Sequence, residues 1–178
     1  MLGSSNCSDE KGNLMSSTAP VSYIEAITQR YASLGYDPYR WYHADSEPVL
    51  KRPAKPVSES RLGVLSTAGA YVAGQVAYHY KDDTSVREIP KQTSDADMRF
   101  AHITENYLES PRKDPNCILP LNALRRLESE GQIGEVAENL LSCMGGVYSQ
   151  RRVREELIPA VEAHFKREAV DLALLIPM

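Results

Sequence analysis

The spacing of apolar residues predicts three helices along the chain. From Ser22 to Leu34 the apolar positions recur at intervals of three and four, which is typical of an amphipathic helix. Leu121 to Glu130 carries leucines at threefold spacing and is followed by a glycine, a frequent helix stop. A third helix is predicted from Ser149, a candidate N-cap, towards Glu168, and Pro159 should kink or divide it.

Two short apolar runs predict strands of one sheet. Arg61 to Thr67 is the first, and it enters a turn of small residues, Ala68 to Tyr71, that lets another segment approach its backbone. Leu172–Ile176 has the continuous apolar character of a buried parallel strand. Gly134 to Leu141 is predicted to add a helical turn or two. Strands alternating with helices predict an α/β fold: a single three-layer domain, flavodoxin-like or Rossmann-like, with a mostly parallel sheet.

The first twenty residues differ from the remainder in composition. Residues 1–20 are rich in serine, glycine, asparagine and charge, so we expect a flexible N-terminal tail that, if ordered, leans on its own domain or on a partner chain. Residues 21–178 are then the α/β domain.

Charge and cysteine spacing exclude several kinds of partner. Twenty basic residues oppose 24 acidic ones, giving a net charge of -4, so we expect no nucleic-acid partner. No apolar stretch is long enough to span a bilayer, so we expect no membrane association and a cytoplasmic location. The cysteines, Cys7, Cys117 and Cys143, lack metal-ligand spacing, so no metal site is indicated. Cys117 is expected in the core.

Six sequence segments, taken in order, resemble one protein family. They are KPVSESRLGVLSTAG (55–69), DTSVREIP (83–90), DADMRFAHITENY (95–107), ILPLNALRRLESEGQIGEVA (118–137), CMGG (143–146) and VDLALLIP (170–177). Together they resemble the selenoprotein B subunits of the glycine, sarcosine and betaine reductases and the related D-proline reductase. The segment at 83–90 and the glycine-containing segment at 118–137 are the most specific.

The resemblance implies a reductase. Members of this family cleave a carbon–nitrogen bond reductively, with a selenocysteine nucleophile and a substrate held on a pyruvoyl group of a partner subunit. It therefore implies a small amino-acid-derived substrate, thiol or selenol chemistry, and either a partner reductase subunit or a homo-oligomer. No cofactor is evident in the chain itself. The alternative is a non-redox binding or scaffold subunit that keeps the fold within a larger assembly.

The family places its selenocysteine or cysteine directly after the strand that VDLALLIP resembles. Met178 stands about where that nucleophile would follow. Two expectations differ in kind. Either the chain is cut short, for example at a UGA codon that encodes a selenocysteine beyond Met178, or it is a shortened relative whose nucleophile lies elsewhere, comes from a partner or is no longer used.

Two residues are the candidate catalytic groups. His102 lies in a family-like segment and could give a proton to a leaving amine, because imidazole titrates near neutral pH. Its alternative is a hydrogen-bonded loop histidine. Cys143 precedes two nearby glycines and the predicted N-terminus of the Ser149 helix, which would favour a thiolate. Its alternative is an inert core cysteine.

Four residues are the candidate substrate-binding groups. Arg87 and Arg61 could favour an anionic nucleophile, and Arg87 could bind a substrate carboxylate with its bidentate fork. Asp83 and Ser85 complete the set, with the alternative that they cap a turn or hold Arg87 in place. An ion pair to Asp83 or Glu88 is the alternative for Arg87.

Overall fold

The computed structural model describes residues 22–38, 41–49 and 51–178. The chain divides into two units, one up to Asp45 and one from Ser46 to Met178. The predicted tail at residues 1–20 lies outside the described residues. In the first unit, helix α1 (Tyr23–Ser33) confirms the predicted amphipathic helix, and Gly35 follows it at φ 79°, in the left-handed region that favours glycine.

The second unit is built on seven strands within the described residues. They are β1 Arg61–Ser66, β2 Ala70–Val72, β3 Arg87–Pro90, β4 Met98–Phe100, β5 Glu135–Val136, β6 Asn139–Ser142 and β7 Leu172–Ile176. Strands β2 and β4 form a separate antiparallel pair, and the other five make the main sheet.

Strand β1 is the centre of the main sheet. Leu62 is aligned with Val136 of β5 and with Leu172 of β7, and Ser66 with Ser142 of β6 and Ile176 of β7, all in parallel. Because a strand has only two edges, β7 lies along one edge of β1. Strands β5 and β6 share the other edge. Strand β3 extends the sheet antiparallel to β6. The main sheet is therefore mostly parallel, as α/β proteins require.

Four α-helices follow α1 in the described residues, and two of them cover opposite faces of this sheet. The four are α2 Glu109–Lys113, α3 Leu121–Ser129, α4 Gln150–Arg152 and α5 Ile158–Arg167, with a π-helical turn at Val153–Leu157 and short 3-10 turns at Val57–Glu59, Asp95–Asp97, Glu105–Leu108 and Pro115–Cys117. Leu62 and Val64 join the core that includes Leu124 of α3. Gly63, between them, faces Phe165 of α5 on the opposite face.

The helical predictions hold with one exception. Helix α3 has its predicted limits, and the predicted interruption near Pro159 is the π-helical turn that ends just before α5. The prediction of helical turns at Gly134 to Leu141 is wrong, because this segment contains β5 and most of β6. Its backbone groups pair with β1, and Leu140 and Leu141 are fully buried in the sheet.

Strand β7 exists as predicted but is not buried. It pairs with β1, whereas no other strand of the described residues pairs with its outer edge. Leu174 is 38% exposed and Leu175 is 63% exposed, as expected of residues in a strand at the margin of the sheet. The prediction of a core position for Cys117 is also wrong, since this residue is exposed at the end of its 3-10 turn.

Candidate functional site

The carboxyl ends of β1, β6 and β7 converge at one edge of the main sheet, which we call the carboxyl edge. The Thr67 amide donates to Ile176 O at 3.0 Å, and the Met178 amide donates to Thr67 Oγ1 at 2.8 Å. Ala68 forms a β-bridge with Met144. Loops that leave carboxyl ends of parallel strands commonly carry ligand sites in α/β proteins.

The small-residue turn after β1 lets a second segment approach, as predicted. Gly69 adopts φ 62°, and a Cβ there would lie 2.1 Å from Ala101 O, so only glycine fits. The Ala101 amide donates to Gly69 O at 3.0 Å, next to the pairing of Ala70 with Phe100. This close approach brings His102 to the carboxyl edge.

His102 is buried with one ring nitrogen bonded and the other without a partner. The Thr104 amide donates to Nδ1 at 3.2 Å, and Thr104 Oγ1 lies 2.6 Å from the same atom. The side chain is only 4% exposed, and Nε2 has no hydrogen-bond partner among the described residues. Burial lowers the pKa of His102, and the Glu105 carboxylate opposes that shift.

Three polar atoms surround Gly145 at the carboxyl edge. A Cβ at Gly145 would lie 2.9 Å from His102 Nε2, 2.9 Å from Thr67 O and 3.2 Å from Met178 O. The absence of a side chain at Gly145 therefore lets its backbone lie close against the unpartnered imidazole nitrogen. A buried polar atom without a partner is rare and commonly marks a place where a ligand or water completes the bonding.

Cys143 lies close by but in an environment that opposes ionisation. It is 1% exposed, and burial raises the pKa of its thiol to about 11. A thiol with that pKa is almost entirely protonated near neutral pH and is a poor nucleophile. This environment favours the alternative in which Cys143 is an inert core residue.

Arg87, Ser85 and Asp83 form a connected network in the loop before β3. Asp83 accepts from the amides of Ser85 and His79 at 2.9 and 2.8 Å, and from the Ser85 hydroxyl. Ser85 Oγ in turn accepts from Arg87 Nη1 at 2.8 Å. The pKa of Asp83 is lowered because these hydrogen bonds and the Arg87 charge together outweigh its burial.

The Arg87 guanidinium is engaged by its own loop. Its Nε donates to Val76 O at 2.7 Å, and Nη2 lies 3.4 Å from Ala77 O. The group also stacks 4.5 Å from the ring centre of Tyr78, a cation–π contact. This geometry favours the alternative in which Asp83 and Ser85 hold Arg87, although Arg87 forms no ion pair with Glu88, which instead binds Arg167.

Tyr78 joins this loop to the sheet. Its hydroxyl donates to Ser142 O at 2.7 Å and lies 3.3 Å from Ala70 O. Burial raises the pKa of Tyr78, so its hydroxyl stays protonated and acts as a donor. The loop at residues 76–86 is thereby held at the carboxyl edge, next to the end of β6.

Arg61 lies at the opposite end of β1 from the carboxyl edge. It binds Glu135 at 2.9 Å and Glu168 at 3.5 Å, and it lines a polar pocket of about 460 Å³ beside Lys55 and Asp171. Five residues of extended chain span roughly 17 Å, so Arg61 does not meet His102 or Cys143. The structure thus gathers His102, Cys143, Arg87, Ser85 and Asp83 at one edge and leaves Arg61 at the other.

Sequence reasoning did not identify Thr104, Thr67, Gly145 or Tyr78 as parts of this site. The spacing of His102 and Thr104 was the available signal, because a hydroxyl residue two positions after a histidine can bond the ring locally. The described residues contain no cluster of three side chains able to hold a metal ion. They also contain no helix long and apolar enough to cross a membrane.

Comparison of the sequence with known proteins identifies the family of the chain. Residues 85–176, which include β3, β4, His102, Thr104 and β7, match the family model of glycine/sarcosine/betaine reductase selenoprotein B. The chain belongs to this selenoprotein B family. The match confirms the resemblance, and it covers five of the six segments in whole or in part, whereas residues 55–69 lie before it.

A curated relative supports the same assignment. Over 128 residues the chain is 30% identical to D-proline reductase subunit gamma of Acetoanaerobium sticklandii. The aligned region covers 72% of this chain and 52% of the relative, so this selenoprotein B family member spans about half the relative's length. No solved structure matches the chain.

Proposed function

We propose that this chain acts in the thiol- or selenol-dependent reductive cleavage of a carbon–nitrogen bond in a small amino-acid-derived substrate. Two findings support the proposal: membership of the selenoprotein B family, and similarity to a protein named as a subunit of D-proline reductase. We further propose that the chain works in the cytoplasm with a partner reductase subunit or as a homo-oligomer.

The reaction consumes two electrons and two protons. The carbon–nitrogen bond breaks, the carbon and the nitrogen each gain one hydrogen, and a dithiol or selenol–thiol pair is oxidised to the bridged form. The resemblance implies that the selenol or thiol supplies the electron pair and that a pyruvoyl group on a partner subunit activates the substrate. Because the Cys143 thiol is buried with a pKa of about 11, we propose that Cys143 is not the reductant.

His102 is the residue through which we propose that this chain contributes to the reaction. Its Nε2 is buried, has no partner among the described residues, and lies close to Gly145 near the ends of β1 and β7. A nitrogen in that position is suited to donate a hydrogen bond, and then a proton, to a departing amine. A buried nitrogen without a hydrogen-bond partner lowers the stability of the folded protein. Such a cost is typical of a residue kept for function rather than for structure alone.

Arg87 remains the proposed contact for a substrate carboxylate. Reaching a substrate would require the loop at residues 76–86 to move, because Val76, Ala77 and Ser85 now accept its hydrogen bonds. Ser85 and Asp83 would then preorganise the cation rather than touch the substrate. Arg61 could serve a substrate only from the pocket at the opposite edge.

The sheet order supports a finer proposal for the fold. Strands β5 and β6 together occupy one edge of β1 and β7 occupies the other, so the first position of the parallel sheet is flanked by the second and the third, as in the flavodoxin-like order. We propose a three-layer flavodoxin-like or Rossmann-like arrangement. In that arrangement ligands bind outside the carboxyl ends of β1 and β7, where His102 lies.

A second function is favoured by the surroundings of Cys143 and Arg87. Cys143 is protonated and buried, and Arg87 is bound by its own loop, as expected of a binding or scaffold subunit without chemistry of its own. On this reading the carboxyl edge positions a partner's catalytic groups.

One assay separates the two functions. An extract of the native source depleted of this chain would receive the purified full-length protein, dithiothreitol, and in turn glycine, sarcosine, betaine or D-proline. We expect amine formation from one of these to return with wild type and to fall about 10²-fold with His102→Gln, the scale of general acid catalysis. The matched control is His43→Gln, at an exposed histidine. Equal rates with His102→Gln would favour the scaffold function, and no rate with any substrate would refute the reductase proposal.

A further inference from the structure

The hydrogen bonds at Nδ1 decide which nitrogen of His102 carries the proton. The Thr104 amide can only donate, and it is directed at Nδ1 at 3.2 Å. Nδ1 must therefore present its lone pair, and the proton of the neutral ring must sit on Nε2. Thr104 Oγ1, 2.6 Å from Nδ1, then donates its hydroxyl proton to the same lone pair.

Charge and burial keep the ring neutral. Burial lowers the pKa of His102, so a second proton on the neutral ring is disfavoured. Glu105 is the charged group whose field acts on the ring, and its carboxylate is shared with Arg112 at 2.6 Å and with Tyr80 at 3.4 Å. The imidazole therefore meets its ligand as a neutral N–H donor.

We infer that Thr104 is the positioning residue of this site: it fixes His102 as the Nε2–H tautomer and relays a proton to Nδ1 when the Nε2 proton is given away. The inference deepens the proposed function, and its relevance to the reaction rests on that proposal. The assignment of the Nε2–H tautomer does not depend on the proposed function, because the assignment follows from the Thr104 contacts alone.

The relay accounts for each proton. A neutral imidazole that loses the Nε2 proton without compensation becomes an anion, which a buried site disfavours. When the Nε2 proton passes to the departing nitrogen, the Oγ1 proton passes to Nδ1, and solvent returns a proton to the hydroxyl. Thr104 is half-buried and Glu105 next to it is exposed, so the hydroxyl lies between the buried ring and water. No oxidant or reductant takes part in this transfer.

Two substitutions separate the amide from the hydroxyl of Thr104. Thr104→Val removes the hydroxyl and keeps both the shape and the backbone N–H, whereas Thr104→Ser keeps the hydroxyl. Nitrogen-15 NMR of the histidine side chains in the full-length protein should show His102 as the Nε2–H tautomer in wild type and in both variants, with His102→Gln identifying the resonance. A wild-type Nδ1–H tautomer, or an imidazolium at pH 7, would overturn the inference.

The rate measurement tests the relay. In the depletion assay, Thr104→Val should lower kcat by at least tenfold with KM little changed, and Thr104→Ser should restore most of the rate. A merely structural hydroxyl would alter stability without this pattern of rescue. Full activity of Thr104→Val would refute the relay even if the tautomer is as inferred. Full activity of His102→Gln would instead refute the proposed role of His102, and the NMR result would still decide the tautomer.

Discussion

At the scale of single residues, burial separates side chains that the sequence presents as equivalent. Cys117 and Cys143 both lie next to apolar residues, yet Cys117 is exposed at a 3-10 turn and Cys143, directly after β6, is 1% exposed. Likewise His102 and His164 are both buried, but His164 bonds Asn139 O and Arg167, whereas one nitrogen of His102 has no partner among the described residues. An unpaired nitrogen, rather than burial alone, singles out His102.

The two cysteines give a direct test at this scale. Iodoacetamide at pH 7.5, followed by peptide mapping, should label Cys117 at least tenfold faster than Cys143, because only Cys117 is accessible. For Cys143, burial and a pKa of about 11 both oppose reaction with iodoacetamide. Labelling in denaturant should proceed at similar rates for both residues. Rapid modification of Cys143 in the folded protein would revive its predicted catalytic role.

The environment of His102 shows what sequence can and cannot predict about a site. The motif around His102 was sufficient to nominate it, because a histidine in a family-like segment is a reasonable proton donor. Its neighbours from distant parts of the chain could not be predicted, since Gly145 and Thr67 lie near it only through the close contact of Gly69 with Ala101. Arg61 was grouped with Arg87 because both lie in family-like segments, but Arg61 begins β1 and therefore lies at the opposite end of this strand from the carboxyl edge.

At the scale of elements, local pattern predicted those whose partners lie nearby in sequence. Helix α3 and strand β1 follow their apolar spacing closely. The segment 134–141 did not, because its leucines and valine suit a helix as well as a strand, and the choice is made by the open hydrogen-bonding edges of β1. Strand identity there is a long-range property.

The loop at residues 76–86 is the element whose order depends most on one side chain. Arg87→Ala removes the donor to Val76 O and Ser85 Oγ and the contact with Tyr78, so we expect amide exchange in this loop to accelerate about tenfold. Hydrogen-exchange mass spectrometry measures this, with Arg126→Ala on the exposed side of α3 as the control. Unchanged exchange would mean that Arg87 does not hold the loop and is free for a ligand.

At the scale of the whole molecule, the main sheet is well packed around β1 and β6 and thin at β7. Leu140 is fully buried in the core, whereas Leu175 is 63% exposed. Truncation of a buried leucine leaves a cavity, but truncation at the margin of the sheet exposes little that was covered.

Two matched truncations measure this difference. Leu140→Ala should lower the free energy of unfolding by about 2–5 kcal/mol, and Leu175→Ala by no more than about 0.5 kcal/mol. Chemical denaturation of the full-length protein, followed by circular dichroism, gives both values. A cost at Leu175 close to that at Leu140 would show that β7 is covered in solution by a second copy or another partner.

The position of β1 also governs how the protein folds. Arg61, at the start of β1, contacts Glu135, 74 residues later, and Asp171, 110 residues later. Closing such long loops is slow, because their entropy is lost before the contacts repay it. During synthesis on the ribosome, β1 emerges before the strands that pair with it, so the edge that pairs with β7 keeps its N–H and C=O groups open until β7 leaves the exit tunnel. We therefore expect this chain to be most exposed to aggregation in the interval before β7 emerges.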